Sequence, residues 1–249
     1  MINSIKMRIL QGDPIVHDVR KNPMSPVYRG FPIISDAKCA DNCTACFDIC
    51  PVKAISLDPV SIDLGKCVYC PECEKICPAE KIHFSQNYIM SATERGSLVI
   101  KNGMTEIKPE TASEKIRKYF GKSLKLRQVS AGGCSGCELE LNAAGNINFD
   151  MGRFGIEFTA SPRHADGIVI TGPITKNMAK ATEICLEAVP NPKIIILNGA
   201  CAISGGIFQN STEIDRSFLE KHKIDLYVPG CPPHPLTFVT ALLNWLDRK

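Results

Sequence analysis

The sequence predicts two joined parts: a small α+β module organised by cysteines, then a larger α/β domain built on a parallel sheet. Three observations carry this. Thirteen cysteines occur in 249 residues, and eight of them lie between Cys39 and Cys77. Beyond residue 124, apolar segments of strand length alternate with a helical pattern, which implies a parallel sheet covered on both faces. The other cysteine motifs follow the ends of those segments, where ligands gather in open parallel sheets.

Taken in order, residues 1–35 hold Pro14, Pro23, Pro26 and Pro32 and no long periodic run. They are expected to form an extended arm that wraps a neighbour or the second domain. Residues 36–89 are the cysteine module, and 90–123 a connector. The connector carries a β-like patch, Leu98-Val99-Ile100, closed by Asn102-Gly103, a hairpin turn signal. A helix is expected from about 109–113 to Gly121. Residues 124–249 form the α/β domain, with strands at 124–129, 167–171, 193–197 and 225–228. Between the second and third strands, Met178, Ala181, Cys185 and Ala188 step by three and four, the spacing of a helix face over 176–189.

Composition narrows the function. Apolar residues make up 44% and the net charge is +3, which gives no support to nucleic-acid binding through bulk charge. Residues 1–18 show no apolar signal-peptide core, and no run of apolar residues is long enough to span a bilayer. A cytoplasmic chain is expected, peripheral to a membrane only through partner subunits. Clustered cysteines in such a chain read as metal binding rather than disulfides. The sequence offers no phosphate-binding glycine loop, no dinucleotide fingerprint and no Ser/His/Asp or Cys/His set. The chain is therefore expected to carry electrons and to make or break no bonds alone.

The module repeats one pattern. Cys39-x3-Cys43-x2-Cys46-x3-Cys50-Pro51 is followed by Cys67-x2-Cys70-x2-Cys73-x3-Cys77-Pro78. The second run matches the bacterial ferredoxin spacing, in which the fourth cysteine serves the other cluster. The first has one residue more between Cys39 and Cys43, so that loop should bulge. Cys39, Cys43, Cys46 and Cys77 are expected to hold one [4Fe–4S] cluster, and Cys67, Cys70, Cys73 and Cys50 a second. A short apolar stretch follows each run, as in a pseudo-twofold dicluster ferredoxin-like domain. The competing reading is a pair of zinc sites, which use separated C-x2-C pairs rather than four cysteines ending in Cys-Pro.

The α/β domain adds four cysteines. Ser130-Ala131-Gly132-Gly133-Cys134-Ser135-Gly136-Cys137-Glu138 follows the first strand, Asn198-Gly199-Ala200-Cys201 the third, and Val228-Pro229-Gly230-Cys231-Pro232 the fourth. With Arg153-Phe154-Gly155-Ile156, Ser161-Pro162-Arg163-His164-Ala165-Asp166 and Thr171-Gly172-Pro173, these segments resemble the small-subunit family shared by [NiFe] hydrogenases and the B-type (20 kDa) subunit of complex I. The resemblance covers about residues 124–235. It is closest to energy-converting (group 4) membrane-bound hydrogenases and formate hydrogenlyases, because Cys134-x2-Cys137 replaces the adjacent cysteines of complex I members.

The resemblance implies a flavodoxin-like α/β fold. It implies a proximal [4Fe–4S] cluster on Cys134, Cys137, Cys201 and Cys231, making three clusters in all. It implies a catalytic [NiFe]-type large subunit as partner, along with other hydrophilic and membrane subunits. The donor would be a soluble ferredoxin or a formate dehydrogenase, and either direction of flow stays open. A complex I-like oxidoreductase without nickel, linked to ferredoxin, quinone or sulfur, is the alternative. Glu138 has two readings, a proton relay beside the cluster or a charge in the first helical turn. His164 either bonds a cluster sulfur or a partner, or packs as a loop residue. His83 and His234 read as structural or partner-facing, and Cys185 as packing. The basic residues Lys115, Arg117, Lys118, Lys122, Lys125 and Arg127 read as a solvated face.

Overall fold

The computed structural model describes residues 5–6, 9–10, 12 and 15–248; the rest of the predicted arm before residue 15 lies outside them. From residue 15 the chain runs along the α/β domain. Val16 N–H donates to Asn148 O at 2.8 Å. Val19 is buried, and its carbonyl accepts from Tyr88 Oη at 2.8 Å. The Arg20 guanidinium donates to Arg248 O at 2.6 Å. The arm then turns into the cysteine module, where Phe31 is fully buried.

The module contains β1 (Pro32–Ile34), α1 (Ala45–Ile49), β2 (Ile55–Leu57), β3 (Val60–Asp63), α2 (Glu72–Ile76) and β4 (Ile82–Phe84). β1 pairs antiparallel with β4, so the end of the segment read as an arm is a strand. Three residues are too few to show a period, and what fixes β1 is the burial of Phe31 and Ile34. β5 (Val99–Lys101) was expected to close a hairpin at Asn102-Gly103. The chain does turn there, with Met104 N–H on Lys101 O at 3.3 Å, but β5 pairs with β3 and no strand among the described residues returns beside it. The apolar face of β5 finds its core in the module instead, with Ile100 opposite Ile62. α3 (Glu114–Phe120) follows, as the sequence indicates, with Ser113 Oγ accepting from Ile116 N–H at its start and Gly121 at its end.

The α/β domain is built from β6 (Leu124–Ser130), α4 (Gly136–Ala144), β7 (Ile156–Phe158), β8 (Gly167–Thr171), α5 (Lys176–Ala188), β9 (Ile194–Asn198), α6 (Ala200–Ser204), α7 (Ser217–Lys221), β10 (Leu226–Val228) and α8 (Pro235–Trp245). The strand order is β10-β9-β8-β6-β7, and each pairing is parallel. In order of appearance this is 2-1-3-4-5, the flavodoxin-like arrangement. β7 went unread in the sequence. It is three residues long and follows Gly155, with only Ile156 buried.

Every residue of β8 and β9 is buried, as befits central strands with both faces covered. One face packs Leu126, Val169, Ile196 and Val228 against Leu141 of α4 and Leu236 and Leu242 of α8. The other packs Val129, Ile168, Ile170 and Leu197 into a core that continues into the module through Ile55, Ile62, Leu64 and Phe84. The cysteine module thus shares its core with one face of the sheet. Gln209 Nε2 donates to Val52 O at 3.1 Å across the seam, and Ala92 and Tyr227 form an antiparallel bridge.

Gly167 sits where β8 meets β9, opposite Ile194. A Cβ there would lie 2.3 Å from Ile194 Cγ1 and 2.4 Å from Ile194 O. Gly167→Ala should therefore push the two central strands apart and cost about 1–3 kcal/mol, as overpacking does. A lowered urea midpoint with an unchanged slope is the expected result, and a wild-type midpoint would show that the strands yield freely.

Candidate metal centres

The two halves of the module share a backbone geometry although their side chains differ. Each loop places a left-handed residue just before its second cysteine: Asn42 with φ 57° before Cys43, and Tyr69 with φ 56° before Cys70. The extra residue of the first loop is taken up in a turn, with Cys43 N–H on Ala40 O at 3.1 Å. In the second loop Tyr69 N–H points at Cys67 Sγ, at 3.3 Å. Each loop leads into a five-residue helix, α1 or α2, with Cys46 or Cys73 buried in it.

Each helix ends on the fourth cysteine of its run. Cys50 and Cys77 have nearly the same extended backbone, φ −70° and ψ 112° against φ −73° and ψ 109°. The prolines that follow stop the helices, since a residue before proline is pushed out of the helical region. Lys53 (φ 48°) and Glu80 (φ 47°) then turn the chain back. Ala54 N–H donates to Cys50 Sγ at 3.2 Å, and Lys81 N–H to Cys77 Sγ at 3.3 Å.

Burial raises several of these thiols, and the cysteines around them add to it. Burial pushes Cys67 far up, and the charges of Cys73, Cys50 and Cys70 add to it. Cys73 is pushed up to about 12 by burial, with Cys70 and Cys50 the leading charges. Cys46 is raised by burial and then by Cys77, with Cys39 also contributing. Cys50, Cys67, Cys70 and Cys73 line one apolar cavity with Val52, Ile55 and Ile62.

The third set forms where β6, β9 and β10 end. Cys134 is exposed on the loop after β6, Ser135 adopts a left-handed conformation with φ 67°, and α4 begins at Gly136 with Cys137 in its first turn. Cys201 lies in the first turn of α6. Cys231 follows β10, and Ala200 N–H on Gly230 O at 2.9 Å ties its loop to that of Cys201. Gly199 and Gly206 leave the room these sulfurs occupy. A Cβ on Gly199 would fall 2.6 Å from Cys137 Sγ, and one on Gly206 2.8 Å from Cys201 Sγ. Both glycines also have positive φ, 97° and 54°, which L side chains resist.

Burial drives Cys137 far up, with the charges of Glu138, Cys201, Cys231 and Cys134 adding. Cys201 is pushed up to about 11 by burial and by Cys231 and Cys134, against the pull of Ile207 N–H and Arg216. Cys231 is raised by burial, then by Cys134, then by Cys70 of the module. That last influence crosses the seam between the two parts. A cavity of about 190 Å³ marks the same junction, lined by Tyr28, Tyr69, Cys231 and His234 among others.

The donor sets fit [4Fe–4S] groups. The donors are thiol sulfurs, and in the module backbone N–H groups meet them. No group of three or more His, Cys, Asp or Glu side chains among the described residues is gathered to hold a single metal ion.

The structure sorts the other predicted residues. Glu138 Oε1 accepts from Ser130 Oγ at 2.6 Å and Thr171 Oγ1 at 2.7 Å, so strand-end hydroxyls hold it. His164 is exposed on a short turn, with its backbone N–H on Ser161 O. His83 pairs with Glu74 at 2.5 Å on the surface. His234 caps α8, its Nδ1 accepting from Leu236 N–H at 3.1 Å, and burial lowers it to about 4, which keeps it neutral. Cys185 is half-buried against the core. Arg117 of the basic stretch pairs with Asp247 at 3.3 Å. Sequence reasoning missed Arg216, whose guanidinium meets the carbonyls around Cys201. An arginine between polar loops gives no sequence signal.

Residues 134–245 match the family model described as NADH ubiquinone oxidoreductase, 20 Kd subunit; the cysteine module lies outside the match. The probable membrane-bound hydrogenase subunit mbhJ of Pyrococcus furiosus is 38% identical over 131 residues, covering 53% of this chain and 78% of that one. Formate hydrogenlyase subunit 7 of Escherichia coli is 41% identical over 137 residues, covering 54% of each. The B-type subunit of the NADH-quinone oxidoreductase of Citrifermentans bemidjiense is 40% identical over 116 residues, covering 47% of this chain and 68% of that one. With the parallel sheet and the cysteine loops at its strand ends, these similarities show that the chain belongs to the family of the NADH ubiquinone oxidoreductase 20 Kd subunit.

Proposed function

We propose that this chain is the electron-transfer subunit of a multisubunit [NiFe] hydrogenase, of the membrane-bound or formate hydrogenlyase type, and that it holds three [4Fe–4S] clusters. One cluster takes Cys39, Cys43, Cys46 and Cys77; the second Cys50, Cys67, Cys70 and Cys73; the third Cys134, Cys137, Cys201 and Cys231. The observation that carries this reading is the shared core, which holds the cysteine module against the sheet whose strand ends carry Cys134, Cys137, Cys201 and Cys231.

When bound, such clusters store and pass single electrons, at potentials set by hydrogen bonds, charge and exposure. The chain's own residues hold them in order. Exposed Cys39 lies at the outer end, toward a soluble donor such as a ferredoxin or a formate dehydrogenase. Exposed Cys134 and Cys231 lie at the inner end, toward a catalytic large subunit. No helix among the described residues is long and apolar enough to cross a membrane, so attachment would run through partner subunits. The similarity to the B-type subunit of NADH-quinone oxidoreductase favours a second reading, a complex I-like enzyme without nickel. Nickel analysis of the purified complex separates the two.

Glu138 is assigned a proton-relay role. Two hydroxyls hold Oε1, which leaves Oε2 to take and release a proton near Cys137. Glu138→Gln keeps an acceptor for those hydroxyls and removes the acid. Turnover of the assembled complex should fall on the order of 100-fold, with iron content unchanged. Wild-type turnover would leave the acid only a place in the first turn of α4.

Anaerobically purified full chain should contain about 12 iron and 12 sulfide, as three cubanes require. About 8 of each would leave the third set without a cluster, and zinc with little iron would overturn the electron-transfer reading.

The crossed assignment is tested with single serines. Cys50→Ser should alter the EPR signal that Cys67→Ser alters, and Cys77→Ser the signal that Cys39→Ser alters. Cys50 and Cys39 acting on one signal would mean that each run closes on its own cluster.

A further inference from the structure

Arg216 reaches from the loop before α7 into the turn that carries Cys201. Nη1 donates to Cys201 O at 3.2 Å and to Pro173 O at 3.1 Å. Nη2 donates to Ala202 O at 2.9 Å and Ile203 O at 2.8 Å. Three of these acceptors belong to α6, a helix of five residues that cannot satisfy its own carbonyls and is too short to be stable by itself. The fourth belongs to the loop after β8. One planar fork therefore pins the Cys201 helix to the neighbouring strand end.

The charge of Arg216 is the second observation. The side chain is half-buried, and no carboxylate pairs with it among the described residues. Arg95, the cation nearest in effect, repels it and is itself matched by Asp63 at 2.7 Å. Placing a cation among neutral carbonyls and beside another cation is costly unless an anion stands nearby. Four thiolates on a cluster are such an anion.

We infer that Arg216 is the built-in counter-charge of the cluster on Cys134, Cys137, Cys201 and Cys231, and the positioning residue that fixes Cys201. This rests on the three-cluster reading above. Reduction adds one negative charge to that cluster, so a fixed cation beside it favours the reduced form. The guanidinium thereby raises the potential of the third site relative to the two in the module, which it does not touch. Electrons arriving through the module are drawn toward the third set.

The test is an EPR-monitored dithionite titration of the anaerobic full chain, with iron counted in each sample. Arg216→Gln should lower the reduction equilibrium constant of the third cluster about tenfold, a shift of about 59 mV for one electron, and leave the other two in place. Arg216→Lys keeps the charge but not the fork. It should hold the wild-type potential while losing iron from the third site faster under a chelator. If Arg216→Gln fails to fold or to load, the lysine variant decides: a wild-type potential with faster iron loss supports the inference, and a lowered potential overturns it. Three loaded clusters with an unshifted third potential in Arg216→Gln overturn the inference alone. A wild-type chain that holds only the module's clusters overturns the ligand assignment and this inference with it.

Discussion

Thiolates brought to one point repel one another, and burial away from water makes each harder to ionise. The raised thiols of Cys67, Cys73, Cys137 and Cys201 are the record of that opposition. A chain that gathers cysteines in this way works against its own electrostatics until a compensating positive charge is bound. The loops must therefore be held by something other than the sulfurs. In the module the short helices and Cys-Pro stops hold them; in the α/β domain it is the ends of a parallel sheet whose central strands β8 and β9 are fully buried.

That division explains why the two kinds of site look so different. The module's sites are made twice by the same local rule, and the rule tolerates different side chains. Asn42 accepts a left-handed backbone readily, but Tyr69 does so at a cost, which the surroundings cover. Tyr69 is buried, its hydroxyl meets Met90 Sδ at 3.5 Å, and its carbonyl accepts from Arg29 Nε at 2.8 Å. The third site has no local rule. Its cysteines come from three separate strand ends, and their meeting depends on strand order. β6, β9 and β10 bring their loops to one edge only because each pairing is parallel.

The legible part of the sequence was the part written in spacing. The cysteine runs, the apolar strands β8 and β9 and the helix α5 each carry a period or an interval that survives without context. β1, β5 and β7 are three residues each, and their partners are chosen by burial against distant segments. No interval in the sequence records that Val99 would pair with Asp63 rather than turn back at Gly103. Arg216 was illegible for the same reason. Its four acceptors lie between 13 and 43 residues away, and its meaning comes from them.

The shared core fixes the cysteine sets of the module relative to the set at the strand ends. A tethered ferredoxin with its own core would be free to move, and its spacing from the third set would vary with the linker. Here Ile55, Ile62 and Leu64 of the module pack into the same core as Ile168, Ile170 and Leu197 of the sheet. Gly65 is so close to α6 that a Cβ would lie 2.8 Å from Ile203 Cγ2. Close-packed cores resist displacement, because a shift of even a methylene's width opens voids or clashes. The separation of Cys70 from Cys231 is therefore set by side-chain packing and not by chain length. In this architecture the apolar face of a parallel sheet, ordinarily covered by helices, is partly covered by the cysteine module.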